Sequence, residues 1–262
     1  MPSVSNIAVG ALVAGSAASK ARHGMNESIA RLSTGLRSMY GGDAAGQSVA
    51  NTLQARSKSW AMAARNAEDG ISAAQTAESA LLEIASLAQR MRELGIQADN
   101  YGLQQTASDK AALDAESAAL GTAIDAIVQK ATFNGVQLLN TSDVTKNIGV
   151  TDDGGTLTLT FKAVASAAAA VASGADSTAD EVLEDVAVAM GHVAAGIAAL
   201  KGRQAVAYSA SANLAAAASR IEDTDFAKET ANLAKNSVLN QSAMAMVAQA
   251  NQAQSAILAV LQ

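Results

Sequence analysis

The sole proline of this 262-residue chain is its second residue, so no later segment is barred from a helix by a missing amide hydrogen or a ring clash. Half of the residues are hydrophobic, yet only 3% are aromatic, and much of the apolar total is alanine. The core is therefore expected to be helix on helix in thin layers, and the fold mainly α, built from long antiparallel helices.

Both ends carry helical periodicity. Val4, Ile7, Ala11, Ala14, Ala18, Ala21, Met25, Ile29, Leu32 and Leu36 step by threes and fours over about nine turns, roughly 50 Å of helix. At the other end Leu239, Ala243, Met246, Ala250, Ala253, Ile257 and Leu261 step in the same way. Asn240, Gln241, Gln249, Asn251, Gln252 and Gln254 interrupt that second stripe well short of the ~20 apolar residues a bilayer requires, so its partner is expected to be another helix and not a membrane. Two such helices would pair as a coiled coil. A seam of small residues buries little area per turn and is marginal in water. The ends are thus expected to order in an assembly, along a seam formed by Ile7, Ala11, Met25, Ile29, Leu32, Leu239, Met246, Ile257 and Leu261.

Between the ends, the glycine-rich "YGGDAAGQS" from Tyr40 predicts a break. Ile71, Ala74, Ala77, Leu81, Ile84, Ala88, Met91, Leu94 and Ala98 then form a continuous stripe that ends near "ADNYG". Leu113, Leu120, Ile124 and Ile127 predict a shorter helix folding back on it. The period then changes to two. "TFNGVQLL" holds an Asn-Gly turn signal, and Leu157, Leu159 and Phe161 alternate with Thr156, Thr158, Thr160 and Lys162, predicting a small β-hairpin region near 131–162. Residues 163–180 read as a low-complexity connector with no side chain large enough to anchor a separate domain. A last long helix, with Ser177 or Thr178 as its expected cap, carries Val182, Val186, Val193, Ile197, Leu200, Gln204, Ala207, Ser211, Leu214, Ala218 and Ile221 as a seam for the second helix. The expected organisation is a terminal-helix domain from 1–40 and 230–262 and an outer helical domain from 41–229, with no large inserted surface domain.

Chemistry is sparse. The net charge of −6 argues against nucleic acid as a partner. With no cysteine and two histidines, His23 and His192, neither in an H-E-x-x-H arrangement, no metal site is expected. No phosphate loop follows a strand, and clusters such as Asp152–Asp153 or Glu222, Asp223 and Asp225 sit in turns and caps. Neither catalysis nor a cofactor is expected. The opening "MPSVSNIAVGALVAG" lacks a basic n-region, so export by the general secretory route is not expected.

"ARLSTGLRSMYGGDAAGQSVANTL", "ARNAEDGISAAQTAESALLEIASLAQRMRELGIQA", "TFNGVQLL" and "SRIEDTDFAKETANLAKNSVLNQSAMAMVAQANQ" resemble bacterial flagellin, densely over Ile29–Asn140 and Ser219–Gln254. The resemblance implies a chain whose termini pair in an inner coiled-coil domain lining a hollow filament, covered by neighbouring subunits, with an outer helical domain carrying a small β region. It implies an extracellular homopolymer with an export chaperone at the C-terminal helix and filament-cap and hook-junction proteins as further partners. "QRMRELGIQ" is similar to the flagellin stretch read by animal Toll-like receptors, which makes Gln89, Arg90, Arg92, Glu93 and Leu94, with Glu116 beside them, a candidate receptor and inter-subunit face. The sequence departs from the family where "MYGGDAAG" replaces "NSAKDDAAG" and where Met91, Gly95 and Ile96 stand in the receptor stretch. The same-fold rival is a hook-filament junction protein; the rival of another class is a secreted surface-binding effector or adhesin.

Overall fold

The computed structural model describes residues 2–37, 43–100, 106–167 and 171–261, with the side chains of 2–8, 257, 258, 260 and 261 outside the description. Among the described residues five helices and two small hairpins follow in the order α1 (Pro2–Thr34), α2 (Ala44–Ala98), α3 (Ala107–Lys130), β1 (Thr132–Phe133), β2 (Val136–Gln137), β3 (Val144–Gly149), β4 (Thr156–Phe161), α4 (Ala175–Glu222) and α5 (Phe226–Leu261). The mainly α reading holds, as does the small β region within it.

Two compact units divide the chain. A terminal unit comprises Met1–Gln54 and Leu214–Gln262, and a central unit comprises Ala55–Asn213. The division falls inside α2 and α4, whereas the sequence reading places it at 40/41 and 229/230.

The central unit is organised by the stripe on α2. Ala74, Ala77, Leu81, Ile84, Ala88, Met91 and Leu94 are all fully buried, because steps of three and four keep them on one face. α4 runs back along that face, with Ser57 Oγ donating to the Ser211 carbonyl at 2.9 Å near one end. Near the other end only a glycine permits the approach: a Cβ on Gly95 would sit 2.3 Å from the Asp176 backbone nitrogen. Gly196 plays the same part toward the sheet, where an added Cβ would lie 2.2 Å from Leu159 Cδ1. Thr106 caps α3 by accepting from the Asp109 amide. β1 and β2 turn through Asn134 and Gly135, both at positive φ (50° and 76°), the pairing that a two-residue hairpin with a primed turn demands. β3 pairs antiparallel with β4, Val144 opposite Phe161 and Gly149 opposite Thr156. Leu159 and Phe161 point inward and are buried, as their alternation predicts.

Two expectations need correction here. The last long helix does not start at a Ser177 or Thr178 cap: it begins at Ala175, just past Gly174 at φ +99°, and both hydroxyls donate back to the Gly174 carbonyl from within the first turn. The alanine-rich connector is not without anchors. Val164, Ala167 and Ala172 are buried, and four aspartates accept its backbone amides: Asp143 from Ala163, Asp185 from Ala165, Asp125 from Ala167 and Asp114 from Ala172, each at 2.8–2.9 Å. Small side chains let the segment lie flat enough for carboxylates on α3, α4 and the loop before β3 to reach its backbone.

One helix, α4, contains an 18-residue window of mean hydropathy 1.5, apolar enough to cross a membrane on length and composition alone. Here Val182, Val186, Val193 and Leu200 on that helix are buried in the protein core.

Candidate assembly surface

In the terminal unit, α1 and α5 pack antiparallel, and they are tied at one end by polar contacts. Gly35 (φ +74°) closes α1, its amide donating to Arg31 O at 2.8 Å. Its carbonyl accepts from the Thr224 amide at 2.8 Å, Leu36 bridges Asp223, and the Arg37 amide donates to Glu222 O at 2.7 Å. The Arg37 guanidinium reaches Ile221 O and Asp43. The Gly46 amide, and then Arg37, hold the Asp43 carboxyl below its ordinary value, as expected for a carboxylate capping the start of α2. Glu222 is buried and accepts from Gln47 at 3.1 Å and Gln54 at 2.6 Å. Asp225 caps α5 by accepting from the amides of Ala227 and Lys228.

Beyond this clasp the seam is narrow. Arg31 approaches the buried Glu229 at 3.7 Å. Gly24 is open only to the Asn236 side chain, whose Nδ2 would be 2.5 Å from an added Cβ. On α1 the buried face consists of Ala14, Ala18, Ala21 and Ser28, with Ala11, Met25 and Leu32 half-buried. On α5 only Ala243 is buried among the apolar residues past the clasp, and Asn232, Asn236, Asn240, Val247 and Ala250 are half-buried. Asn240 Oδ1 is buried without a partner among the described residues, a cost of about 1–3 kcal/mol within the seam itself.

The predicted seam residues therefore separate into two sets. Ala11, Met25 and Leu32 face α5. Ile29, Leu239 and Met246 do not: they are 50%, 49% and 61% exposed. The side chains of Ile7, Ile257 and Leu261 lie outside the described residues. The inward face of α5 follows Asn236, Asn240, Ala243, Val247 and Ala250: it shares Ala243 and Ala250 with the predicted apolar steps and replaces Leu239 and Met246 by the residues that follow them. A reading that follows only apolar spacing passes over the asparagines, whose own four-residue spacing was the available signal.

What the seam leaves out forms a surface. Val9, Val13, Leu239 and Met246 rim a groove of about 510 Å³ floored by Gly10, Ala14, Ala17 and Ala243. By helical spacing Met244 (48% exposed) falls on the opposite flank of the pair, while Leu12 (75% exposed), three residues after Val9, points away from α5. Arg22 Nη2 lies 3.7 Å from Met244 Sδ on that flank.

The second predicted face belongs to the central unit, and the structure splits it. Arg90 bonds Glu116 at 2.8 Å and Glu93 at 2.9 Å; Glu116, then Glu93, raise the guanidinium above its ordinary value. Gln89 is exposed. Arg92 turns elsewhere, to Asp180 at 2.7 Å. Leu94 is fully buried in a cluster with Ala98, Leu113 and Ala172, so it belongs to the core and not to an exposed face. No group of three or more residues able to hold a metal ion occurs among the described residues.

Long terminal helices joined largely through small and polar side chains, with many of their large apolar side chains turned outward, define a class: a structural subunit made to associate along its helices. The sequence pattern of the bacterial flagellin N-terminal helical region matches residues 6–144, and that of the bacterial flagellin C-terminal helical region matches residues 179–261. The chain belongs to the bacterial flagellin family. It is 36% identical to a flagellin of Halalkalibacterium halodurans, over 88% of this chain and 89% of that one. It is 34% identical to a flagellin of Bacillus subtilis, over 88% and 90%, and 32% identical to flagellin FlaB2 of Treponema pallidum, over 90% and 92%.

Proposed function

We infer that this flagellin builds the bacterial flagellar filament by seating the groove of one copy's α1·α5 pair on the opposite flank of the next. The observation that carries the reading is the placement of Val9, Val13, Leu239 and Met246 outside a seam whose own buried apolar residues are alanines. A groove on one flank and a knob on the other make a heterologous contact, which propagates into an open helical polymer where a self-complementary patch would close a dimer. Burying each large apolar side chain contributes about 1.5–3 kcal/mol, and that gain comes only with a neighbour.

The terminal unit then supplies the helices that line the filament's channel. The role is mechanical, with no catalysed step and no cofactor. The filament it builds stands outside the cell. An export chaperone covers α5 before assembly, while cap and hook-junction proteins meet the same terminal helices. Arg90, Glu93, Glu116 and Gln89 present the exposed polar face on which contact with a neighbouring subunit or an animal Toll-like receptor rests; Leu94 supports it from beneath. The names of the relatives favour the filament subunit over a junction protein of the same fold.

Leu239→Asp tests the reading. The variant monomer is expected to keep its helical circular dichroism and to lose polymerisation, followed by light scattering and electron microscopy. Normal filaments from this variant would overturn the groove assignment. A monomer that acts instead by binding host surfaces would support the adhesin class.

A further inference from the structure

We propose that Met246 is an oxidation site that switches off this assembly surface, the modifying reagent being a hydroperoxide. The proposal rests on the reading of the groove as an inter-subunit site. The chain has no cysteine and eight methionines, so thioethers are its only oxidisable sulfurs. Among the described residues three methionines are largely exposed: Met62 at 51%, Met244 at 48% and Met246 at 61%. Two of the three sulfurs have a guanidinium against them, Arg65 Nη1 at 3.9 Å from Met62 Sδ and Arg22 Nη2 at 3.7 Å from Met244 Sδ. A cation drawing on the sulfur lone pair lowers its nucleophilicity toward peroxide. Among the described residues no donor reaches Met246, which is also the most exposed of the three.

The step is balanced. The Met246 sulfur attacks a peroxide oxygen, an S–O bond forms as the O–O bond breaks, the thioether becomes a sulfoxide, and the peroxide is reduced to water or an alcohol. The consequence differs by position. On Met244 the new S–O dipole meets the Arg22 guanidinium and gains a charge-assisted hydrogen bond. On Met246 it enters the rim of a groove whose lining is apolar but for Ser242, one turn before it. A second copy seated there would strip water from the sulfoxide, and that single hydroxyl does not replace the hydration lost. The expected effect is about a tenfold or larger rise in the critical concentration for polymerisation. Reduction of the sulfoxide restores the surface, so the switch is reversible.

The test treats full-length monomer with graded hydrogen peroxide, maps sulfoxide at each methionine by peptide mass spectrometry, and follows polymerisation by light scattering. Met246 is expected to oxidise first, its sulfoxide to be enriched in the fraction left unassembled after partial oxidation, and methionine sulfoxide reductase to restore polymerisation. Met246 in preformed filaments is expected to be protected. Met246→Leu, compared with its own untreated sample, is expected to lose sensitivity to peroxide, while the double variant Met62→Leu with Met244→Leu keeps it. Equal sulfoxide at Met246 in assembled and unassembled fractions, or undiminished sensitivity in Met246→Leu, overturns the proposal. Failure of untreated wild-type protein to polymerise would instead overturn the assembly reading.

Discussion

The two units solve opposite packing problems with the same helical periodicity. In the central unit Leu81, Ile84, Met91, Leu94, Ile124, Leu138, Leu139 and Phe161 are fully buried or nearly so. In the terminal unit every buried apolar residue described is an alanine: Ala14, Ala18, Ala21, Ala50, Ala218 and Ala243. Many large apolar side chains on the terminal unit point outward, with Val9, Leu12, Val13, Phe226, Val238, Leu239 and Met246 all about half exposed or more, while Met25, Leu32 and Val247 are half-buried. Stabilisation scales with apolar area removed from water. The central unit therefore carries its own stability, and the α1·α5 pair stores its largest gain for a neighbour.

The sharpest way to break this contrast is to truncate one large side chain in each unit. Phe161→Ala is expected to destabilise the monomer by about 3–5 kcal/mol through lost burial and a cavity. Leu239→Ala is expected to stay within about 0.5 kcal/mol, because the side chain is already in water. Chemical denaturation of the two monomers measures both. The order should reverse for the critical concentration of polymerisation. A Leu239→Ala monomer as damaged as Phe161→Ala would erase the distinction between the units.

Glycines sharpen the comparison at smaller amplitude. Gly95→Ala gains helix propensity worth about 1 kcal/mol, yet its Cβ meets the Asp176 backbone at 2.3 Å, and overpacking of this kind costs about 1–3 kcal/mol. The net expectation is destabilisation. Gly15→Ala in α1 meets nothing within 4 Å and is expected to add helix signal in circular dichroism. Two changes of the same sign would mean that α4 does not press on α2 as closely as the structure has it.

The central unit was legible because its signals are apolar and periodic. The stripe from Ile71 to Ala98, the Asn134–Gly135 turn and the alternation from Leu157 to Phe161 each follow from one local rule. The terminal seam was only half legible. Spacing located α1 correctly at Ala14, Ala18 and Ala21, but on α5 it followed Leu239 and Met246 although Asn236, Asn240 and Val247 face inward. The apolar rule assumes that the greasiest face is the one covered within the chain, and in a subunit that saves this face for another copy the assumption fails. Leu94 misled in the other direction: a receptor-like motif suggested exposure, while its place in the α2 stripe already implied burial. The connector's aspartates were illegible for a different reason, since a carboxylate that accepts a backbone amide 20 to 58 residues away leaves no local pattern.

Those aspartates make the connector a part of the central unit, which a substitution can probe. Asp125 accepts from both Ser166 Oγ at 2.6 Å and the Ala167 amide at 2.9 Å. Asp125→Ala is expected to cost about 1–2 kcal/mol, the amide being left without its charged acceptor. Protection of the Ala167 amide in hydrogen exchange should fall with it, and α1·α5 should be unaffected. Unchanged protection at Ala167 would mean that the segment is held by Val164 and its alanines alone.

The smallest effect concerns pH. Asp143 accepts from Lys162 Nζ at 2.7 Å and from the Ala163 amide at 2.9 Å, and Lys162, then that amide, hold its carboxyl below the ordinary aspartate value. A carboxylate whose affinity for protons is lower in the folded chain than in the unfolded one favours folding above its unfolded value, near ~3.9. That contribution is lost as pH falls through the lower, folded value, because the unfolded chain then binds the proton first. The stabilisation should therefore be constant at neutral pH and decline only on the acid side of about pH 4. Asp143 is open to solvent, so screening by salt should shrink the effect. Acid titration of monomer stability in Asp143→Asn, set against wild type at low and high salt, isolates it. The variant is expected to show a shallower acid limb and no change in the pH dependence of the terminal pair, while a steeper limb would assign the acid sensitivity of the central unit to other carboxylates.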